Sequence, residues 1–161
     1  MQTAYFAGGC FWCVEAIFQR VDGVKELTSG YCNGSTQNPT YEEVCSGQSG
    51  HAEVLKIEFD EQKISFTDLL EVFVETHDPT SLNQQGADRG TQYRSAVFYI
   101  DSVQRDLAIS FISSIPDAVT EISPLDVFYP AEGYHQNYYN NDPNQPYCQM
   151  VILPKINKYF K

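Results

Sequence analysis

Residues 3–23 read TAYFAGGCFWCVEAIFQRVDG, and the change of rhythm at Gly8-Gly9 decides the fold. The five residues before the glycines read as a short strand, which the glycine pair ends. Over residues 10–21, apolar Phe11, Val14, Ile17, Phe18 and Val21 recur at the spacing of a helix with one buried side. Asp22-Gly23 stops that helix. A strand running straight into a helix puts Cys10 at the helix start. The glycines behind it let the backbone turn and keep the sulfur approachable.

Working outward, residues 24–31 read as a second strand, and residues 33–48 as a connection with turn signals at Asn33-Gly34 and Asn38-Pro39. Residues 51–59 alternate through Ala52, Val54 and Ile57 as a third strand. An amphipathic helix follows over 66–77, with Ser65 as its N-cap. The polar loop at 78–91 is long for a compact domain, which directs attention to function there. A β-rich run at 95–100, a helix at 103–114 and a short strand at 119–122 come next. Beyond Pro124 the chain is aromatic-rich and punctuated by Asn and Pro up to Tyr147, and residues 148–161 receive no assignment. This order predicts an α+β protein: a two-layer α/β sandwich with a ferredoxin-like core, a mixed, mostly antiparallel sheet and a long irregular C-terminal segment. No repeat or linker divides it, so one domain over 1–161 is expected.

Composition narrows the function. Ten Lys and Arg against 21 Asp and Glu leave a net charge of −11, a field that repels a phosphate backbone, so no nucleic acid is expected. Residues 1–9 are too short for a signal peptide and no apolar run reaches membrane-spanning length, so a cytoplasmic location and no membrane are expected. Five cysteines, two of them three positions apart, favour catalysis, redox chemistry or metal over a disulfide framework. Of the 11 tyrosines, many lie beside Gly, Asn or Pro; loop packing accounts for most, and a subset can line a pocket.

The sharpest motif is Gly8-Gly9-Cys10-Phe11-Trp12-Cys13. Free N–H groups at a helix start stabilise a thiolate, so Cys10 is expected as a nucleophile with a lowered pKa. A cysteine merely packed beside two aromatics is the plainer reading, and the double glycine and Cys-x-x-Cys spacing weigh against it. That spacing alone also fits a disulfide-exchange site in which Cys13 resolves Cys10. A metal site from Cys10, Cys13, Cys32 and Cys45 lacks a second closely spaced pair, so no metal is expected. Gly8-Gly9 is not a dinucleotide-binding fingerprint and no phosphate-binding loop exists, so no cofactor is expected.

Glu53, in Gly50-His51-Ala52-Glu53, donates a proton at neutral pH only if burial raises its pKa. Taken alone, it reads as an exposed strand residue, His51 as a surface or hydrogen-bonding residue, and Glu42 and Glu43 as solvated charges. In Asp88-Arg89-Gly90-Thr91-Gln92-Tyr93-Arg94-Ser95, Asp88 and Tyr93 suit a hydrogen-bonding site, and Arg89 and Arg94 suit ion pairs. Tyr134-His135-Gln136 and Tyr147-Cys148 read alone as aromatic loop packing and a surface thiol.

Taken together and in order, Gly-Cys-Phe-Trp (9–12), Gly-Tyr (30–31), Pro-Thr-Tyr (39–41), Gly-His-Ala-Glu (50–53), His-Asp-Pro-Thr (77–80), the 88–95 run and Glu-Gly-Tyr-His-Gln (132–136) resemble peptide methionine sulfoxide reductase A. That family reduces the S epimer of methionine sulfoxide, free or in proteins. The resemblance implies Cys10 as nucleophile, Glu53 as general acid, and Tyr41 and Tyr93 as hydroxyls on the sulfoxide oxygen. It also implies Phe11 and Trp12 as the cage for the substrate methyl, and Asp88 as an orienting hydrogen-bonding residue. Cys10 would become a sulfenic acid and then a disulfide, reopened by thioredoxin or a similar dithiol. Cys148 matches the family's resolving position and is preferred; Cys13 is the alternative, with Cys32 and Cys45 as bystanders. A monomer is expected. The competing readings are a general Cys-x-x-Cys thiol-disulfide oxidoreductase and a non-catalytic thiol-metal module.

Overall fold

In the computed structural model, which describes residues 1–160, a six-stranded sheet carries its helices on one face. Lys161, the last residue of the stretch left unassigned from sequence, lies outside the described residues. In chain order the elements are β1 (Gln2–Ala7), α1 (Phe11–Phe18), β2 (Val24–Cys32), α2 (Tyr41–Cys45), β3 (Ala52–Phe59) and α3 (Phe66–Thr76). Then come β4 (Gln84–Gln85), β5 (Asp88–Arg89), β6 (Ala96–Tyr99), α4 (Ser102–Ser113), β7 (Glu121–Pro124) and β8 (Tyr129–Pro130). After these follow α5 (Tyr138–Asn141), a π-turn (Cys148–Ile152) and α6 (Leu153–Tyr159).

The strand order is β7-β6-β1-β3-β2-β8, with every pairing antiparallel except β6 with β7. Helix α1 links β1 to β2 and α3 links β3 to β6, which gives the ferredoxin-like core expected from the element order. The period of two along β3 sorts its side chains. Leu55, Ile57 and Phe59 pack with Phe6, Phe18, Leu69 and Phe73 on the helix side. Ala52 and Val54 face the other side, under Leu125 and Phe128. By the same parity, Glu53 falls on the helix side, beneath the start of α1.

Four local differences from the sequence reading have physical causes. Helix α1 ends at Phe18 because Arg20 and Val21 bond three residues back, in turns. Helix α2 was not expected; Thr40 and Glu43 form a reciprocal capping box that starts it. The last predicted strand shifts to β7, because the Val119 N–H is taken by the Pro79 carbonyl at 2.7 Å. The unassigned tail is a π-turn continuing into α6, whose Ile152 and Ile156 pack inward. Residues 125–147 are the irregular segment the sequence predicts, broken only by short elements.

The β1–α1 turn depends on its glycines. A Cβ on Gly8 would meet Phe73 Cε1 at 2.9 Å. Gly9 has φ +92°, and a Cβ there would meet the Gln85 side chain at 2.8 Å. Gly9→Ala therefore combines backbone strain with a close contact, at about 1–3 kcal/mol. The expected result is a lower urea midpoint with loss of the Cys10 geometry; an unchanged midpoint contradicts the packing described.

Candidate active site

Cys10 is the N-cap of α1, with its carbonyl accepting from the N–H groups of Cys13 (3.0 Å) and Val14 (3.4 Å). The N–H of Phe11, the first free donor of the helix, goes to Glu53 Oε1 at 3.1 Å and not to the sulfur. Glu53 is 1% exposed, and its Oε2 has no hydrogen-bond partner. Burial outweighs the Phe11 hydrogen bond and raises its pKa to about 8. The exposed strand residue read from Glu53 alone is thus a buried carboxyl that keeps its proton at neutral pH.

The expected lowering of the Cys10 pKa is reversed. Burial, the neighbouring Cys13 sulfur and the Glu53 carboxyl push the Cys10 thiol well above the ordinary cysteine value. Cys13 moves the other way, to about 7, chiefly through a hydrogen bond from Cys10, with the Lys155 ammonium helping. The pair behaves as one thiol donating to one thiolate, and a single proton leaves it near neutrality.

An aromatic wall stands beside this pair. Trp12 stacks on Tyr138 with centroids 3.8 Å apart and planes 5° from parallel, and its Nε1–H donates to His135 Nδ1 at 3.1 Å. That bond places the neutral His135 proton on Nε2, which is buried without a partner among the rings of Phe11, Tyr41 and Tyr134. Phe11 is buried between Tyr31 and His135. Tyr41 and Tyr93 pack against the same cluster; burial holds both hydroxyls neutral, helped at Tyr41 by a hydrogen bond with Cys45 and at both by the nearby Glu53.

Asp88 reaches the cysteines through Tyr147, whose hydroxyl donates to Asp88 Oδ2 at 2.6 Å and lies 3.4 Å from Cys13 Sγ. Cys148 is 0% exposed in the same cluster, so the surface thiol read from Tyr147-Cys148 is corrected. Its thiol is raised by burial, with the negative charges of Asp142 and Cys13 adding to the shift. Cys45 is exposed on α2, and Cys32 is buried on the far face of the sheet. A cavity of about 670 Å³ opens on Cys10 and Cys13 from the side of α6.

Of the residues singled out from sequence, Cys10, Cys13, Phe11, Trp12, Tyr41, Glu53, Asp88, Tyr93 and Cys148 come together here. Arg94 pairs with Glu121 at 3.1 Å as expected, whereas Arg89 forms no ion pair among the described residues. Of the two readings of His51 the hydrogen-bonding one holds: the residue is buried, and its Nε2 bonds the Thr36 carbonyl oxygen at 2.6 Å. Besides His135, which holds Trp12, sequence reasoning missed three supports. Glu15 accepts from the N–H groups of Asn137 (3.0 Å) and Tyr138 (3.3 Å); the signal was a lone charge in the apolar run CVEAIF. Glu132 accepts from the Tyr31 hydroxyl and the Tyr41 N–H, both at 2.9 Å. Gln85 clamps Asp78 through its N–H (2.8 Å) and carbonyl (2.6 Å). Among the described residues, no cluster of three His, Cys, Asp or Glu is placed to hold a metal, and no helix is long and apolar enough to cross a membrane.

The sequence model of the family described as peptide methionine sulfoxide reductase matches residues 2–161. The chain is 66% identical over 161 residues to "Peptide methionine sulfoxide reductase MsrA" of Vesicomyosocius okutanii subsp. Calyptogena okutanii, covering 99% of each. It resembles the crystal structure of Mxr1 from Saccharomyces cerevisiae in reduced form, at TM-score 0.83 and 32% identity, over 89% of this chain and 87% of that one. Mxr1 in complex with Trx2 shares the fold at TM-score 0.58 and 22% identity, over 85% and 84%. The chain belongs to the peptide methionine sulfoxide reductase family.

Proposed function

We propose that this enzyme reduces methionine-(S)-sulfoxide, free or in proteins, to methionine by thiol chemistry at Cys10, serving protein repair and oxidative-stress defence. The observation that carries this reading is Glu53: a buried carboxyl with a free oxygen beside a thiol, protonated up to about pH 8. Disulfide exchange needs no such acid, which argues against a general Cys-x-x-Cys oxidoreductase.

A sulfoxide oxygen leaves poorly unless protonated. Glu53 gives its proton to that oxygen, while Tyr41 and Tyr93 donate hydrogen bonds to it. Phe11 and Trp12 enclose the substrate methyl group, and Asp88, through Tyr147, fixes the cysteine pair. Cys10 passes its proton to Cys13 and attacks the sulfur as thiolate. The sulfur–oxygen bond breaks as the hydroxyl moves to Cys10, methionine leaves, and Cys10 carries the sulfenic acid. Cys13, now a thiol, condenses with it to a Cys10–Cys13 disulfide and water.

The family position favours Cys148 as resolving cysteine; its burial near Cys13 favours a relay in which Cys13 acts first and Cys148 takes over. Thioredoxin or a similar dithiol then returns the enzyme to its reduced form. That Mxr1 has been crystallised in complex with Trx2 supports this partner. Residues 1–161 act as one catalytic domain, as a monomer in the cytoplasm, where a reducing environment keeps the thiols available.

Cys10→Ser is expected to abolish methionine formation. The kcat/KM of the parent rises through about pH 7, as the cysteine pair loses one proton, and falls through about pH 8, as Glu53 loses its own. Glu53→Gln lowers it at least tenfold, ~1.4 kcal/mol, and removes the alkaline fall. A Glu53→Gln enzyme that keeps that fall excludes Glu53 as the acid. For recycling, Cys13→Ser still releases one equivalent of methionine, but thioredoxin-supported turnover drops at least tenfold, with a smaller loss in Cys148→Ser. Normal cycling of Cys13→Ser rejects Cys13 as the first partner.

A further inference from the structure

Of the rings that meet His135, Tyr134 alone is exposed, at 59%. Its centroid lies 4.1 Å from that of His135, which lies 4.4 Å from that of Tyr41, one of the two tyrosines assigned to the sulfoxide oxygen. The reduction itself gives Tyr134 no task. In a peptide, the residue next to methionine sulfoxide is only about 3.8 Å away along the chain, so its side chain passes this exposed ring.

Two carboxylates flank the ring. Glu132 is fixed in place, accepting from the Tyr31 hydroxyl and the Tyr41 N–H, both at 2.9 Å. These donors are neutral, so Glu132 keeps its charge; against its burial, they and its own N–H hold its pKa below the usual glutamate value. Glu42 follows Tyr41 on α2, is exposed, and forms no ion pair among the described residues. After burial, Glu132 and Glu42 are the main influences on both the Tyr134 hydroxyl and the His135 ring. The main charges acting on Tyr41, Tyr93, Tyr134 and His135 include no cation. Arg94 is tied to Glu121, Arg20 lies over Tyr139, and Lys155 and Lys158 line the cavity beside α6. Independently of these charges, two buried atoms of the same wall, Glu53 Oε2 and His135 Nε2, find no partner in the chain, which marks a surface that a ligand completes.

We propose that Tyr134, Glu42 and Glu132 form a subsite for a cationic side chain, so that the enzyme prefers protein methionine sulfoxide flanked by lysine or arginine. The inference rests on the proposed reduction at Cys10 and names the substrates that suit it. The face of an exposed tyrosine attracts an ammonium or guanidinium group, and two carboxylates beside it add to the attraction. In a chain of net charge −11, the same rim repels acidic flanks.

The test uses the full chain in single turnover without added reductant, so recycling does not enter. The substrates are acetylated, amidated tripeptides with methionine-(S)-sulfoxide between two lysines, two glutamines or two glutamates. The expected order of second-order rate constants is lysine, glutamine, glutamate, with about tenfold between the extremes at low salt and a collapse of the spread at high salt. Glu42→Lys is expected to cut the lysine-to-glutamate ratio about fivefold. Glu26→Lys, at the other end of β2 from Tyr31, changes the net charge equally and is expected to cut it less than about twofold. Tyr134→Leu is expected to lower the lysine-to-glutamine ratio about threefold. Rates independent of flanking charge, glutamate the fastest, equal effects of Glu42→Lys and Glu26→Lys, or a ratio unmoved by Tyr134→Leu overturns the subsite while leaving the reduction intact. A parent enzyme that reduces none of the three peptides overturns the proposed function, and this inference with it.

Discussion

One hydrogen bond, from the Phe11 N–H to Glu53, organises the rest of the site. It joins β3, one of the two central strands of the sheet, to the first turn of α1, at the point where the chain passes from strand to helix over two glycines. A carboxylate buried in apolar surroundings costs several kcal/mol unless several donors satisfy it. Two or three backbone donors hold a carboxyl ionised; Glu53 has one, so desolvation prevails and the group stays protonated to about pH 8. A second donor on Oε2 would stabilise the carboxylate, lower its pKa and leave the residue without a proton to give at neutral pH. The unpartnered oxygen is what ties a packing feature to chemistry.

The aromatic wall beside it is assembled from chain segments far apart in sequence, and each join is a polar side chain of α1 or the C-terminal segment. Glu15 on α1 caps the start of α5 and so brings Tyr138 onto Trp12. Glu132 spans Tyr31 and the first residue of α2, which aims Tyr41. His135 holds the indole by its only N–H. Removing any of these acceptors leaves a buried donor unsatisfied, at about 1–3 kcal/mol. The irregular course of residues 125–147 is thus fixed by specific bonds to the core, with little regular secondary structure of its own.

This division explains how much was legible in the sequence. The ferredoxin-like core could be read because its strands and helices advertise themselves by period, as β3 and α3 do. The Cys10 turn could be read because Gly8-Gly9 interrupts that period. Helix α2 was legible in principle, since Thr40 and Glu43 have capping-box spacing, but its five residues are too few to show periodicity. The roles of Glu15, Gln85, Glu132 and His135 were not legible, because each depends on a partner that only tertiary contact supplies. Glu53 lay between these cases: its parity along β3 was readable, and its burial was not.

The reversal at Cys10 follows from the same economy of donors. A helix start offers a limited set of free N–H groups, and here the first of them serves the carboxyl, leaving the sulfur only the weaker help of the Trp12 backbone. With a carboxyl and a second sulfur close by, a permanent thiolate on Cys10 would set negative charge beside a buried group that, as the proposed acid, has to stay protonated. Sharing one proton with Cys13 avoids that conflict, because the charge rests on Cys13, where Lys155 offsets it. In the proposed mechanism it reaches Cys10 only when a substrate sulfur is there to receive it. The Cys-x-x-Cys spacing, which in isolation suggested disulfide exchange, therefore acts before any disulfide exists, by setting which sulfur holds the proton at rest.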